Sequence, residues 1–490
     1  MNPSTIALTM IFGMIAIGSF IGFYAGSRYK MDLEQWTVAG RGFGVVFVWL
    51  LMAGEIYTTF TFLGASGWGY SRGGPALYIL GYQPLAFVVA FFIMPYVWEV
   101  GRKYRMQTQA DFFFTRYKSK YLAAFVALVG VIFMIPYLQL QLTGLGIIVE
   151  VASFGAIGRT PAMLLAFTLV AGFVFVSGVR GVAWVSVLKD FLLLFAALFV
   201  GIALPYIYFG GIGPMFAAVV RAKPWHLTMP GSTANLGHSW YVSSVLMTAF
   251  GFFMWPQNFG ASFTAKSGDT LRRNAVVMPL YSLTMPLMLF VGLTAMLVLP
   301  GMSNGDLSLL TLVRKTFPPW FLGLIGGAGA LTAMVPAAIQ ILTASTLFAK
   351  NLYRPIFAPD MSDRDVGMLA RIMVPLITAV ALICAIYSSA TLVSLLLLGY
   401  AGVAQFFPGV VLGIFSKRVT MPAVFAGLVT GIALFSCLML TKRDPFHGLN
   451  AGFLALCANC AVTGIVIWLM PVKISGFEEE LAREPDFVRT

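Results

Sequence analysis

Residues 52–59 read Met52-Ala53-Gly54-Glu55-Ile56-Tyr57-Thr58-Thr59, a carboxylate beside a glycine and ahead of three hydroxyl-bearing side chains. They interrupt an apolar run that spans about 44–66, so Glu55 sits where an ionised group is most expensive. Such a carboxyl is suited to taking up and releasing a proton. The structural alternative is a cap that accepts from backbone amides freed where the helix breaks. The rarity of ionisable residues at that depth favours the proton-carrying role.

A second interruption, Trp255-Pro256-Gln257-Asn258-Phe259-Gly260, removes a backbone donor and adds two side-chain amides to another apolar run. Interrupted helices expose carbonyls and helix ends near the midplane, the way solute carriers build ion and substrate sites. Tyr57, Thr58, Thr59, Trp255 and Gln257 are therefore the expected substrate contacts. Gln141 joins them from the run 121–151, where Gln139, Gln141 and Thr143 alternate and so do not all share one face. Lys189-Asp190 is expected as a neighbouring pair that snorkels or bonds its surroundings near the interface, rather than one that meets the solute.

Other chemistries find little support. His226, His238 and His447 all fall in expected outer loops, which leaves a metal-dependent hydrolase in the membrane without ligands. No metal site and no organic cofactor are expected. Cys384, Cys437, Cys457 and Cys460 lie in apolar runs, and the C-x-x-C at 457–460 lacks a second pair, so buried inert thiols are expected. Gly326-Gly327-Ala328-Gly329 precedes no Gly-Lys-Ser/Thr and reads as close helix packing rather than a phosphate loop.

These residues must be positioned by membrane helices. Hydrophobic residues make up 59% of the chain and charged ones 10%, a balance no soluble core of this length absorbs. The net charge of +13 raises nucleic acid as a partner, but the basic residues sit in short runs between apolar segments, such as Arg102-Lys103 and Arg272-Arg273, so nucleic-acid binding is excluded. Segments long enough to span occur at about 5–26, 44–66, 76–99, 121–151, 160–178, 183–209, 240–264, 275–299, 318–349, 367–388, 390–415, 420–440 and 449–471, thirteen in all. Lys and Arg concentrate in alternate connectors, which orients the chain N-out and C-in. The first run carries Arg28 and Lys30 after it and no A-x-A site, the mark of a retained helix. Residues 1–472 form one expected transport domain, and 473–490 a short cytoplasmic tail with the solvated run Glu478-Glu479-Glu480. Trp68 and Tyr70 are expected in an outer aromatic belt.

Read in order, these stretches resemble the sodium/solute symporter family. The matching residues are Ala39-Gly40-Arg41-Gly42, Phe62-Leu63-Gly64-Ala65-Ser66-Gly67 with Gly69-Tyr70, Gly181-Val182-Ala183, Trp255-Pro256 followed by Thr264-Ala265-Lys266 and Leu271-Arg272-Arg273, and Asn351-Leu352-Tyr353-Arg354-Pro355. The resemblance implies an all-α membrane protein of the leucine-transporter type. Its two inverted five-helix repeats would occupy about 44–209 and 240–415, and a four-helix bundle would rock against a scaffold. Tyr57-Thr58-Thr59 ahead of Thr61-Phe62-Leu63-Gly64, with Pro136-Tyr137-Leu138-Gln139-Leu140-Gln141, look most like the bacterial monocarboxylate permease branch.

The family pattern is broken at one place. In sodium-coupled members the ninth helix supplies adjacent hydroxyls to the ion. Aligning on Gln340 and Asn351-Leu352-Tyr353 puts Val335 and Pro336 at those positions. Second-helix carbonyls around Gly54 and Tyr57 would remain, with Thr332 or Thr343 available only after a shift in register. Sodium favours oxygen ligands, so a proton carried by Glu55 is the alternative to a sodium ion. The expectation is a symporter of a small monocarboxylate such as lactate or pyruvate, multi-pass in a bacterial inner membrane, and a monomer. Rivals are a sodium-coupled symporter of pantothenate, an amino acid or a sugar, and a transporter-like membrane sensor; an enzyme is not expected.

Overall fold

The computed structural model describes residues 2–27 and 41–470, with the backbone alone at 175–178 and 180. The expected cytoplasmic tail, Arg28, Lys30 and Ala39-Gly40 lie outside the described residues. Within them the chain is helical, with no strand beyond two isolated bridges.

Helix α1 covers Pro3–Ser27 and is followed by a broken pair, α2 at Val45–Ile56 and α3 at Phe60–Ser71, whose axes meet at 55°. Then come α4 (Tyr78–Lys103), α5 (Gln109–Tyr117), α6 (Lys120–Ala152), α7 (Arg159–Phe209) and α8 (Ile212–Ala222). A second broken element follows, α9 at His238–Gly251 and α10 at Pro256–Ser262. The rest comprises α11 (Gly268–Tyr281), α12 (Thr284–Val298), α13 (Ser308–Thr316), α14 (Pro319–Thr346), α15 (Asp363–Tyr387), α16 (Leu392–Val403), α17 (Phe407–Phe415), α18 (Met421–Leu440) and α19 (Ala451–Leu469).

Among the described residues, ten helices are long and apolar enough to cross a membrane, or eleven when the bent α2–α3 pair is taken as one span. The expected thirteen therefore exceed what length and composition support. Two expected spans lie outside that number. In α7, which runs unbroken through 160–178 and 183–209, the described apolar stretch Arg159–Val174 is shorter than a span while Gly181–Phe209 counts as one. The α9–α10 element is cut short by its own break. The run expected at 275–299 counts as one span, Gly268–Val298, although its helix turns at Ser282 and Leu283 between α11 and α12.

Local sequence explains the ends. Ser119, Ser267 and Thr391 each cap a helix by accepting from the backbone N–H three residues on, and Thr108 forms a capping box with Asp111. Helix α14 is the hub: 94% of its apolar window is buried, and α1, α6 and α7 pack around it. Close approach is bought with glycine. A Cβ on Gly292 of α12 would lie 2.1 Å from the Ser66 carbonyl of α3, and one on Gly402 would sit inside the Phe133 ring.

Two polar clusters tie the bundle at its ends. At the end expected inside, Lys350 Nζ lies 2.7 Å from Asp111 Oδ2, and Asn351 Nδ2 donates to Asp111 Oδ1 at 2.8 Å. Thr108 Oγ1 donates to Asn351 Oδ1, joining α5 to the foot of the α14 span. Burial works against the Asp111 charge, but the Lys350 ammonium, the Gln107 backbone N–H and the Asn351 amide together hold its carboxyl below the usual range. Near the C-terminus, Gln405 donates to the Ala401 and Gly452 carbonyls, and Asn459 Nδ2 donates to the Gln405 carbonyl at 2.8 Å, fastening the α18–α19 hairpin to α16 and α17.

Several expectations are corrected here. Trp68 and Tyr70 are internal rather than a belt: Trp68 Nε1 donates to Thr391 Oγ1, and the Tyr70 hydroxyl bridges the Leu299 carbonyl and the Met302 amide. They ride on α3, which is wrapped by protein on all sides. Cys437, Cys457 and Cys460 are exposed on the perimeter of the bundle rather than buried, and Cys384 is half-buried. His226 does lie in a loop, as expected, and is buried there, with Nε2 donating to the Gly69 carbonyl and Nδ1 accepting from Ser232.

Gly292→Ala should cost about 1–3 kcal/mol because backbone opposes the new methyl, whereas Gly464→Ala, which meets nothing within 4 Å, should leave the melting temperature unchanged. Equal shifts for the two in purified protein would contradict this packing. Asp111→Asn should lower the melting temperature at neutral pH. Because the folded carboxyl titrates below its unfolded value, that contribution is present above about pH 4 and is lost as pH falls through the folded value; the gap between wild type and variant should close on acidification.

Candidate functional site

Glycine and polar side chains give α2 no reason to continue past Ile56, and the chain leaves helical geometry at Tyr57, with φ −92° and ψ 93°. Helix resumes at Phe60 as a π turn, and the Phe60 amide donates to Thr58 Oγ1 at 3.1 Å. The α9–α10 element breaks likewise at Trp255, with φ −56° and ψ 126°, where Pro256 starts the next helix without needing an N–H partner. The two interruptions expected from the sequence are thus present. Their inner parts are stitched together by the Phe43 amide on the Thr264 carbonyl and the Lys266 amide on the Phe43 carbonyl.

Glu55 is buried between these breaks. Gln340 Nε2 of α14 lies 3.5 Å from its Oε1, Gln257 stands beside it, and Oε2 has no hydrogen-bond partner. The Gly54 carbonyl accepts from Lys189 Nζ at 3.1 Å. Tyr57 turns away from Glu55: its hydroxyl is 2.9 Å from Ser282 Oγ and its ring lies 4.0 Å from that of Tyr281. Thr59 Oγ1 donates to Gln141 Oε1 at 2.5 Å, leaving Gln141 Nε2 without a partner. Thr332 donates to the Ala328 carbonyl one turn back in its own helix. The Tyr57 hydroxyl is thus engaged with Ser282 and the Thr332 hydroxyl within its own helix.

Trp255 packs against Tyr137 at 4.8 Å and Tyr400 at 5.3 Å, and its Nε1 is unpartnered. The Tyr137 hydroxyl reaches the Glu55 carbonyl at 3.4 Å. Ring contacts continue through Tyr400 to Tyr82, Tyr78 and Trp240, ending at Trp68. The sequence reading missed Tyr78, Tyr82, Tyr137 and Tyr400, and also Gln83, whose two amide atoms are buried without partners. The signal available was a tyrosine and an amide adjacent at 82–83 within an apolar span.

This aromatic column separates two spaces of unequal size. A vestibule of about 280 Å³, lined by Trp68, Arg72, Asn235, Trp240 and Asp444, lies at the end carrying the 223–237 loop. A cleft of about 20 Å³, lined by Gln257, Thr343, Thr346 and Thr108, lies on the other side. The larger admits a small organic ion; the smaller has room for about one water.

Lys189 and Asp190 also differ from expectation. Both are fully buried, joined at 2.9 Å, and the lysine reaches α2 rather than an interface. Tyr281 donates to Asp190 Oδ1 at 3.2 Å. The sequence reading took the pair as interfacial because charged neighbours in an apolar helix carry no mark of a partner on another helix.

Comparisons with known proteins agree with this architecture. The model of the Sodium:solute symporter family matches residues 36–431. An uncharacterized symporter of Bacillus subtilis, YhjB, is 44% identical over 469 residues, covering 93% of this chain and 95% of its own. A monocarboxylate transport permease protein of Rhizobium johnstonii is 27% identical, with 96% and 98% covered. Among solved structures, a Na+-coupled sialic acid symporter in a substrate-bound outward-open state superposes with a TM-score of 0.79 at 18% identity, covering 96% of this chain and 98% of its own. That likeness shows a shared fold of the leucine-transporter kind. With the family model spanning both broken helices and the relatives matched end to end, this multi-pass membrane protein belongs to the sodium:solute symporter family, whose members are transporters rather than enzymes.

Proposed function

We propose that the chain is a symporter of a small monocarboxylate, of the size of lactate or pyruvate, and that a proton on Glu55 is the coupling ion. One observation carries the reading: buried side-chain amides with an N–H that no hydrogen bond takes up stand at both helix breaks, Gln141 against Thr59 and Gln257 against Glu55, with Trp255 packed on Tyr400 alongside. An unmet buried donor costs about 1–3 kcal/mol, and a carboxylate is an acceptor-only ligand that would meet them. Thr58 and Thr59 add hydroxyls, and Tyr137 and Tyr400 supply an apolar wall for a short carbon chain. The relative named a monocarboxylate transport permease supports the same substrate class.

The family and the sialic acid symporter favour sodium as the coupling ion. The ninth-span position facing α2 favours the proton, since Val335 Cγ1 lies 3.5 Å from a Cβ placed on Gly54. It offers no side-chain oxygen.

In the proposed cycle the solute enters from the vestibule, displaces the aromatic column between Trp68 and Trp255, and leaves through the cleft at Thr343 and Thr346. The orientation is N-out and C-in, in a bacterial inner membrane. The repeats at about 44–209 and 240–415 each begin with a broken helix, and a monomer suffices because the site is complete within one chain.

In proteoliposomes, uptake of labelled lactate or pyruvate should follow an imposed inward proton gradient, and Glu55→Gln should abolish accumulation while leaving exchange of solute across the membrane. Accumulation that persists in Glu55→Gln would remove the proton role. Gln141→Leu, which cannot donate, should raise KM about fivefold to a hundredfold through one lost charge-assisted hydrogen bond, with a much smaller change in kcat; an unchanged KM would take Gln141 out of the site.

A further inference from the structure

Helix α2 ends inside the membrane; the Tyr57 amide still donates to the Ala53 carbonyl at 2.9 Å, but the Gly54 carbonyl after it has no amide from a following turn. Both carbonyls have a partner of an unusual kind. Lys189 Nζ, completely buried on α7, lies 3.3 Å from the Ala53 carbonyl, 3.1 Å from the Gly54 carbonyl and 2.9 Å from Asp190 Oδ1. One ammonium thus collects three oxygens, two of them at the very break where the family resemblance implies carbonyl ligands for a sodium ion. The space around it is filled. A Cβ on Gly54 would strike Ser186 Oγ at 2.4 Å, and the α14 face opposite presents Val335.

We propose that Lys189 is a tethered replacement for the inorganic cation at this break, so that sodium neither binds nor drives transport there. This rests on the symport reading above. The residues facing the ammonium are consistent with a permanent occupant. Asp190 pairs with it and is itself held by the Tyr281 hydroxyl at 3.2 Å, while Tyr57 packs at a tilt against Tyr281 and bonds Ser282. Glu55 feels the Lys189 charge but forms no ion pair with it; its carboxyl meets the neutral amides of Gln340, at 3.5 Å from Oε1, and Gln257. A sodium ion brought to the same carbonyls would meet a fixed positive charge in a medium that screens poorly. Lys189 acts through the carbonyls of α2 and is a positioning residue: it holds the broken end of the helix against α7 as a bound ion would.

The test pairs a readout that needs no substrate with one that does. Purified protein is melted in sodium chloride and in choline chloride at equal ionic strength, and proteoliposome uptake is measured in the same two salts under a proton gradient. The wild type should show the same melting temperature in both salts, and uptake that differs by less than about twofold. Lys189→Ala should lose uptake by roughly tenfold or more, because Asp190 loses its counter-charge and the Gly54 carbonyl its donor, and part of the loss should return with methylammonium but not with choline. Lys189→Arg, which keeps a cation, should fold and remain indifferent to sodium. A rise in wild-type melting temperature with sodium, uptake that requires sodium, or full activity in Lys189→Ala would each overturn the proposal. If no carboxylate is taken up under any gradient, the substrate reading fails while the melting comparison still decides the role of Lys189.

Discussion

A helix interrupted inside a bilayer leaves peptide groups that water cannot reach, and each must find a partner within the protein. Most of what is unusual in this chain follows from meeting that demand twice. At the second span the Thr58 hydroxyl takes up the Phe60 amide, and the Lys189 ammonium takes up the Gly54 carbonyl and joins the Tyr57 amide on the Ala53 carbonyl. At the seventh, Pro256 omits the donor altogether and Asn258 Nδ2 reaches the Phe252 carbonyl. Side chains that serve the backbone in this way must be polar, buried and close together. The same demand therefore concentrates amides and hydroxyls where a solute can use them.

The surrounding architecture keeps those breaks from healing into straight helices. Helix α14 is enclosed along nearly its whole length, and it brings Gln340 to Glu55 while setting Val335 against Gly54. Glycine contacts hold α3 against α12, and the aromatic column from Trp68 to Trp255 fills the volume between the vestibule and Glu55. The vestibule and the cleft differ more than tenfold in volume, about 280 against about 20 Å³, so the two ends of the molecule are unequally closed.

Much of this was legible in the residues. Glycine next to Glu55 and proline next to Trp255 mark breaks because each removes a backbone constraint or donor whatever the tertiary setting. Long apolar runs mark spans for the same reason. What was hidden depends on contacts between distant segments. Tyr82, Tyr137 and Tyr400 look like any aromatic residue in a lipid-facing run until the helices are assembled around them. Lys189-Asp190 resembles an interfacial pair because the sequence does not show that α2 offers it free carbonyls. The fate of Ser282, which turns the chain between α11 and α12 and meets Tyr57, lies equally in packing. The perimeter thiols were misread for the opposite reason: apolar surroundings in a membrane protein are as often lipid as protein interior.

The buried amide pair of Gln405 and Asn459 fixes how much of the molecule must travel together. One carbonyl contact from Gln405, to Gly452, and two contacts from Asn459 bind the α18–α19 hairpin to the α16–α17 span in a setting where water cannot compete. Any tilt of that span carries the hairpin with it, and the hairpin's outer face is lined by Leu440, Ile465 and Trp468, all turned to the acyl chains. A conformational step inside the protein is thereby geared to a displacement of lipid, and the viscosity and thickness of the bilayer become part of the resistance against which the carrier turns over.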